Sequence, residues 1–246
     1  MSLEEALKLS AGLDVKEGEG GASDVSNYVK ATHGALEMLA TGGLTLDVVR
    51  AAHAALLQGG RGGGLFPGEF RRVQNYVCPP GVALADARYI PPPPEDVPAA
   101  MMALEQFIGA NDTIPPLVKA APQSETIHPF RDSNGRIGRL LVTLYLCQRG
   151  IVGKPLLGMS YFLKKKRDEY HDRLMRIRDR GDWEQWMCFF LGVVSEASVE
   201  SAGTSRKILL LKDSLHQRLL QNRVGSTHAV GLLDRLFREP YVGVPT

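Results

Sequence analysis

Cysteine is scarce in this sequence: Cys78, Cys147 and Cys188 stand far apart among 246 residues. An odd, scattered set of this kind predicts neither a disulfide framework nor a zinc cluster, and it favours a reducing, cytoplasmic setting. Long apolar runs are lacking as well, because the longest, residues 140–147, is far shorter than the roughly 18 residues of a membrane span. Residues 1–7 carry acids where a signal peptide has its apolar core. We therefore expect a cytoplasmic protein without a membrane partner.

An excess of charge of one sign is also absent, since 29 basic and 27 acidic residues leave a net charge of +2. Nucleic-acid-binding domains are usually much more basic, so we do not expect nucleic acid as a partner. The basic runs at residues 164–167 and 173–180 are interpreted as solvated helix faces. With 44% hydrophobic and 23% charged residues, the chain has the composition of a globular protein with a sizeable core.

The spacing of apolar residues predicts a mostly α protein with one small β-hairpin. Residues 70–77 and 87–90 are rich in aromatic and β-branched residues and flank Pro79-Pro80-Gly81, which indicates a hairpin with a long tip. Helices are expected at about residues 24–39, 45–58, 96–110, 134–149, 160–179, 182–203, 205–221 and 226–238. These elements divide the chain into an N-terminal segment (1–23), a main domain (24–203) and C-terminal helices (204–246).

One segment concentrates the residues that could carry chemistry: His128-Pro-Phe-Arg-Asp-Ser-Asn-Gly-Arg-Ile-Gly-Arg139. Residues 133–135 are poor helix formers that suit a turn, and apolar residues at helical spacing follow them directly. The segment is therefore expected to be a loop that enters a buried helix at its N-terminus. Free backbone N–H groups and the helix dipole make such a terminus a binding site for anions.

The charged residues of the segment fit a polyphosphate. Arg136 and Arg139 are three positions apart, hence neighbours on one helical face, and their guanidinium groups can pair bidentately with phosphate. Asp132 could hold Mg²⁺, which commonly binds one or two carboxylates and substrate phosphates. His128 has an ordinary pKa suited to a general base. Each residue alone would more often be structural, but their joint occurrence favours a catalytic site.

The segment resembles the signature of the Fic family, His-Pro-Phe-x-Asp/Glu-Gly-Asn-Gly-Arg-x-x-Arg. The resemblance covers about residues 24–200, and residues 67–75 and 89–94 are similar to the flap region of bacterial Fic enzymes. It implies a Fic-type helical core with a small β-hairpin flap over the site. It further implies an ATP-using, Mg²⁺-dependent protein adenylyltransferase that modifies a Ser, Thr or Tyr hydroxyl of a target protein, which the flap would hold by strand-like pairing.

The resemblance also implies roles for single residues. His128 would deprotonate the target hydroxyl, Asp132 would hold Mg²⁺, and Phe130 would anchor the loop in the core. The phosphates would be bound by the turn around Ser133, Asn134 and Gly135, with the Asn134 side chain on the α-phosphate, and by Arg136 and Arg139 on the β- and γ-phosphates. Family members that phosphorylate carry Lys where this chain has Gly135, so glycine favours AMP transfer.

Two departures from the family pattern bear on activity. Ser133 stands where the family usually has glycine, which would cost about 1 kcal/mol if the position needs a positive φ. The segment before the signature, residues 119–127, is about three residues short and contains Pro122, so we expect its helix to break or re-pack. These departures keep two alternatives open: a non-catalytic Fic-like nucleotide-binding or regulatory module, and transfer of another phosphate-containing group.

Regulation and assembly stay open in the sequence. We find no inhibitory Ser/Thr-x-x-x-Glu-Gly/Asn pattern, and a homodimer is one arrangement that the sequence permits. Residues 205–246 resemble the start of a winged helix-turn-helix region found behind some Fic domains, with residues 229–238 as its first helix. A C-terminal helix packed on the core is the simpler interpretation.

Overall fold

A computed structural model describes residues 21–59, 65–77, 89–121, 123–155, 157–221 and 227–238 of the protein. The chain forms two compact units, one comprising residues Asn27–Ser198 and the other Met1–Ser26 with Val199–Thr246. Within the described residues no helix combines the length and the apolar character needed to cross a membrane.

Helices account for nearly all regular structure in the described ranges. They are α1 (Gly21–Gly42), α2 (Leu46–Leu56), a 3₁₀ turn (Pro94–Asp96), α3 (Val97–Gly109), α4 (Pro116–Lys119), α5 (Gln123–Ile127), α6 (Asn134–Gln148), α7 (Met159–Lys165), α8 (Arg167–Arg180), α9 (Trp183–Gln221) and α10 (Thr227–Arg238). The mostly α class expected from the sequence is confirmed.

The core of the larger unit is built around α6, whose apolar residues are buried on almost every side. This helix packs against α5 and α2, and α3 packs against α5 and α2 in turn. Apolar positions of α2 at helical spacing, Val48, Val49, Ala52 and Leu56, face inward as the sequence predicts. Because α6 is enclosed, its first turn, which carries the second half of the signature, is held at the edge of the core.

Three predicted elements differ from the structure. The helix expected at 160–179 is split into α7 and α8 at Lys166, and the two helices expected at 182–203 and 205–221 are one continuous helix, α9. The predicted hairpin is not confirmed, because the described residues of its two arms share only one isolated antiparallel bridge, between Val77 and Tyr89. Its tip, residues 78–88, lies outside the described residues, and residues 70–76 are not a strand.

The segment before the signature breaks, as expected. In place of one helix the chain forms the short helices α4 and α5. Lys119, at the end of α4, is almost fully buried, and its ammonium donates to the carbonyl oxygens of Phe107 and Ala110 and pairs with Asp112 at 2.8 Å. These bonds cap the carboxyl end of α3, so a charged side chain stabilises the re-packed segment.

Candidate active site

The signature loop runs from the end of α5 to the start of α6 through two residues with left-handed backbone. His128 has φ 52° and Ser133 has φ 63°, and each non-glycine residue of this kind costs about 1–2 kcal/mol. The Asn134 side chain closes the loop, because its Oδ1 accepts from Phe130 N at 2.8 Å and its Nδ2 donates to Phe130 O at 2.7 Å. Both polar atoms of the Asn134 amide are thus bonded inside the loop in this structure, and the expected contact of this side chain with an α-phosphate stays a prediction.

Phe130 anchors the loop in the core, as the resemblance implies, and its partner there is His53 of α2. The Phe130 side chain is fully buried, and the two rings stack with centroids 3.8 Å apart. His53 Nδ1 accepts from Gly68 N at 2.9 Å, so its proton sits on Nε2, which lies 3.3 Å from the carbonyl oxygen of Asp132. Desolvation lowers the pKa of His53 to about 4, so the ring is neutral at pH 7 and joins two loops.

Arg71 is a second buried residue that holds the loop from behind. Its Nε donates to His128 O at 2.8 Å and its backbone N donates to Pro129 O at 2.9 Å, while its guanidinium also reaches the carbonyl oxygens of Val73 and Pro92. Desolvation lowers its pKa, yet an arginine stays charged. A buried guanidinium whose partners are backbone carbonyls acts as a fixed clamp on the chain around His128.

His128 is set up as a base. Its Nδ1 lies 3.2 Å from the carbonyl oxygen of Glu125, so Nδ1 carries the proton and Nε2 keeps its lone pair. Desolvation, with smaller contributions from Arg71 and His171, lowers the pKa of His128 to about 4. The imidazole is therefore neutral at pH 7, half-buried, and in contact with a cavity from which a hydroxyl could approach.

The two signature arginines face the same cavity from the first turns of α6. Arg136 Nη2 donates to Ser133 Oγ at 2.6 Å, and Arg139 Nε donates to Ser160 Oγ at 2.9 Å. A Cβ on Gly135 would lie 3.0 Å from Arg139 Nη1, so glycine leaves room for this guanidinium over the helix end. Two cations there create a strong field for a polyphosphate.

Glu125 is a buried carboxyl that lines the same cavity as these arginines. Burial raises its pKa to about 8, although the charge of Arg139 acts in the opposite direction, so the group is protonated at pH 7. Its Oε1 has no hydrogen-bond partner among the described residues. A Cβ on Gly138 would come within 2.6 Å of Glu125 Cγ, which explains the need for glycine at that position of α6.

The cavity that these residues share has a volume of about 1050 Å³, at the upper end of the roughly 300–1,000 Å³ typical of small-molecule sites. Its wall combines the signature with side chains of α7 and α8, among them Leu163, Lys164, Arg167, Tyr170 and Leu174. Every residue predicted for the site lines it: His128, Asp132, Ser133, Asn134, Gly135, Arg136 and Arg139.

Asp132 is the residue of this set that suits a metal ion. It lies on the exposed side of the loop, and a single carboxylate with substrate phosphates and water is the usual environment of Mg²⁺. No group of three or more His, Cys, Asp or Glu side chains that could hold a metal occurs in the ranges that the structure describes. A single exposed carboxylate fits Mg²⁺ that also binds substrate phosphates.

The sequence of this chain is similar to those of known proteins. Residues 43–146 match the Fic/DOC family. Protein adenylyltransferase Fic of Culex quinquefasciatus is 32% identical over 127 residues, which are 50% of this chain and 22% of that protein. A probable protein adenylyltransferase of Aquifex aeolicus is 29% identical over 85 residues, 33% of this chain and 27% of that protein. The matched segments thus span about a quarter of these relatives.

Solved structures share the fold. A Fic family protein from Desulfovibrio desulfuricans superposes with a TM-score of 0.67 at 26% identity, covering 83% of this chain and 60% of that chain. A Fic-domain signalling protein from Bacteroides thetaiotaomicron gives 0.58 at 21% identity, covering 82% and 81%. The helical arrangement around α6 is therefore that of known Fic proteins.

Proposed function

Because this chain contains a Fic/DOC family domain, we propose that it is a protein adenylyltransferase. It would move AMP from ATP to a Ser, Thr or Tyr hydroxyl of a target protein. The observation that carries the proposal is the convergence of His128, Asp132, Arg136 and Arg139 on one cavity of about 1050 Å³. Base, metal ligand and phosphate-binding cations are the parts that nucleotidyl transfer requires.

Each of the signature side chains has its own part in the proposed reaction. The target oxygen attacks the α-phosphorus of ATP, the bond to the β-phosphate oxygen breaks, and pyrophosphate leaves. His128 Nε2 takes the proton of the hydroxyl, because Nδ1 is occupied at the Glu125 carbonyl. Arg136 and Arg139 stabilise the negative charge that grows on the leaving pyrophosphate.

The rest of the cavity accommodates the nucleotide. Backbone N–H groups at the start of α6, around Asn134 and Gly135, would bind the α-phosphate, since the Asn134 side chain is used inside the loop. Mg²⁺ held by Asp132 would supply charge neutralisation of the phosphates. The apolar wall formed by Leu163 and Tyr170 is suited to the adenine ring.

Intact-mass analysis after incubation with ATP and Mg²⁺, alone and with a protein lysate, tests the proposal. We expect a protein to gain the mass of one AMP, and a His128→Ala variant to lose this activity while calorimetry shows that it still binds ATP. A gain of one phosphate would instead identify a phosphotransferase. ATP binding without any transfer over a broad protein panel would identify a non-catalytic nucleotide-binding module, for which the strained Ser133 is the motivating observation.

A further inference from the structure

A second cavity, of about 470 Å³, adjoins the first. Leu65, Val73 and Arg131 line both cavities, and the rest of the second is lined by Phe66 and Phe70 together with the charged residues Glu69, Arg71 and Arg72. A chain whose hydroxyl reached His128 would therefore have a neighbouring apolar recess within reach. At about 470 Å³ the recess has room for a large side chain.

The aromatic wall of this recess is exposed yet fixed. Phe66 is 59% exposed and has a left-handed φ of 52°. Glu69 N donates to Phe66 O at 3.0 Å across a turn that contains Gly68, and Gly68 is itself bonded to both His53 and Arg50 of α2. A strained, solvent-facing phenylalanine held by a pinned turn is typical of a binding surface, because strain persists where the surrounding structure enforces it.

Arg131 stands at the junction of the two cavities with its side chain exposed. It forms no ion pair with another residue in the part of the chain that the structure describes, whereas the nearby Arg72 pairs with Glu69 at 3.2 Å. Lys164 and Arg167 add positive charge to the wall of the first cavity. That cavity is lined by two carboxyl side chains, Asp132 and Glu125, and by five lysine and arginine side chains, so basic groups outnumber acidic ones beside Arg131.

We propose that the target segment carries an acidic residue, which pairs with Arg131, and a large apolar residue, which fills the recess beside Phe66. The inference rests on the proposed function and names the class of acceptor for it. Continuity of the recess with the catalytic cavity argues for the same peptide occupying both. Positive charge at the junction argues for an acidic peptide over a neutral or basic one.

Short peptides with one central Ser, Thr or Tyr test this proposal by positional scanning. At each flanking position Asp is compared with Lys, and Leu with Ser, and AMP transfer is measured as kcat/KM. The same peptides with the central residue replaced by Ala are measured for binding by fluorescence anisotropy, which needs no transfer. At one position we expect Asp to be favoured over Lys by about three- to tenfold, and at another Leu over Ser by about fivefold.

Two variants assign these preferences to residues. Arg131→Glu should reverse the charge preference at the same peptide position, whereas Arg176→Glu, an exposed arginine of α8 that lines neither cavity, should leave it unchanged. Phe66→Asn should abolish the apolar preference only, because asparagine tolerates the left-handed backbone at this position.

The outcomes separate this inference from the proposed function. Peptide binding without charge or apolar preference, or a preference that Arg131→Glu leaves in place, overturns the inference even if AMP transfer is robust. Selective binding that follows Arg131 and Phe66 supports it even if no peptide is modified. Absence of AMP transfer to any peptide or protein counts against the proposed function alone.

Discussion

Replacing His53 with phenylalanine should weaken both the fold and the nucleotide site, although His53 lies outside the signature. The change preserves an aromatic ring stacked on Phe130 but removes two hydrogen bonds, from Gly68 N to Nδ1 and from Nε2 to Asp132 O. It thereby separates the loop that holds the proposed metal ligand from the turn that lies beside it.

The expected loss of stability follows from those two bonds. A neutral hydrogen bond contributes about 1 kcal/mol net, and a donor left buried without a partner costs about 1–3 kcal/mol. The N–H of the half-buried Gly68 loses its partner, whereas the Asp132 carbonyl belongs to an exposed residue and can turn to water. We therefore expect His53→Phe to lower the free energy of unfolding by about 2–3 kcal/mol.

Two further substitutions separate the two bonds. Asparagine places an oxygen near the position of Nδ1 and keeps the bond from Gly68, whereas glutamine places an NH₂ near Nε2 and keeps the bond to Asp132. Urea unfolding followed by tryptophan fluorescence measures stability, since Trp186 is buried. Calorimetric titration of ATP at several Mg²⁺ concentrations measures the affinity of the site for Mg²⁺–ATP. We expect His53→Gln to bind Mg²⁺–ATP more like the unsubstituted protein, and His53→Asn to bind it less tightly.

Equal Mg²⁺–ATP affinity for the asparagine and glutamine variants would refute the idea that His53 positions Asp132. Unchanged stability of His53→Phe would refute the hydrogen-bond assignment itself. His33→Phe, on the exposed side of α1, is the control and should change neither measurement.

Three other predictions concern single side chains. Ser133→Gly should be more stable than Ser133→Ala by about 1 kcal/mol. Both variants lose the hydrogen bond to Arg136, but only glycine relieves the backbone strain at φ 63°. Equal urea midpoints for the two variants would show that the position is unstrained. Between pH 4.5 and about 8 the folded chain keeps the Glu125 proton that the unfolded chain releases, so the free energy of unfolding should fall as pH rises. Glu125→Gln should make this fall less steep, and parallel pH profiles for the two proteins would contradict the reasoning. Lys119→Met should lower the free energy of unfolding by about 3 kcal/mol. Asp112→Asn should lower it far less, because the hydrogen bonds from Lys119 to the carbonyl oxygens of Phe107 and Ala110 remain. Equal losses would mean that the ion pair dominates.

Helices with a strong apolar stripe were predictable from the sequence. The expected ranges 45–58, 96–110 and 134–149 lie within two residues of α2, α3 and α6, because the stripe that defines them is a local pattern. The split at Lys166 has no such local signal, since Lys-Lys-Lys-Arg continues a helix well. It coincides with an ion pair between Lys166 and Glu196, thirty residues away, which no window of helical length contains.

The predicted break near Gly203 fails for a different reason. A glycine in a helix interior costs about 1 kcal/mol relative to alanine, and this small penalty does not interrupt the 39-residue helix α9. Turn-forming composition is a weak signal when helical residues extend for several turns on both sides.

The part of the site whose residues are close together in the sequence was predictable. The site residues predicted between 128 and 139 share the cavity because a loop and the first turns of one helix necessarily keep them together. The residues that hold this loop could not be found in the same way, because His53 contacts Asp132 across 79 positions and Arg71 contacts His128 across 57. A histidine on the apolar face of α2 and an arginine after a Pro-Gly turn were their signals in sequence, and neither identifies a partner.

The distant contacts explain how the loop can stay in a strained shape. His128 and Ser133 both have left-handed backbone, at a combined cost of about 2–4 kcal/mol. Hydrogen bonds to a charged donor contribute about 1.5–3 kcal/mol each, and Arg71 makes one to His128 O, with a further backbone bond to Pro129. The bonds of Arg71 and the closure by Asn134 therefore offset the strain within the loop itself. The imidazole can then face the cavity in its neutral form without depending on a bound nucleotide to hold it there.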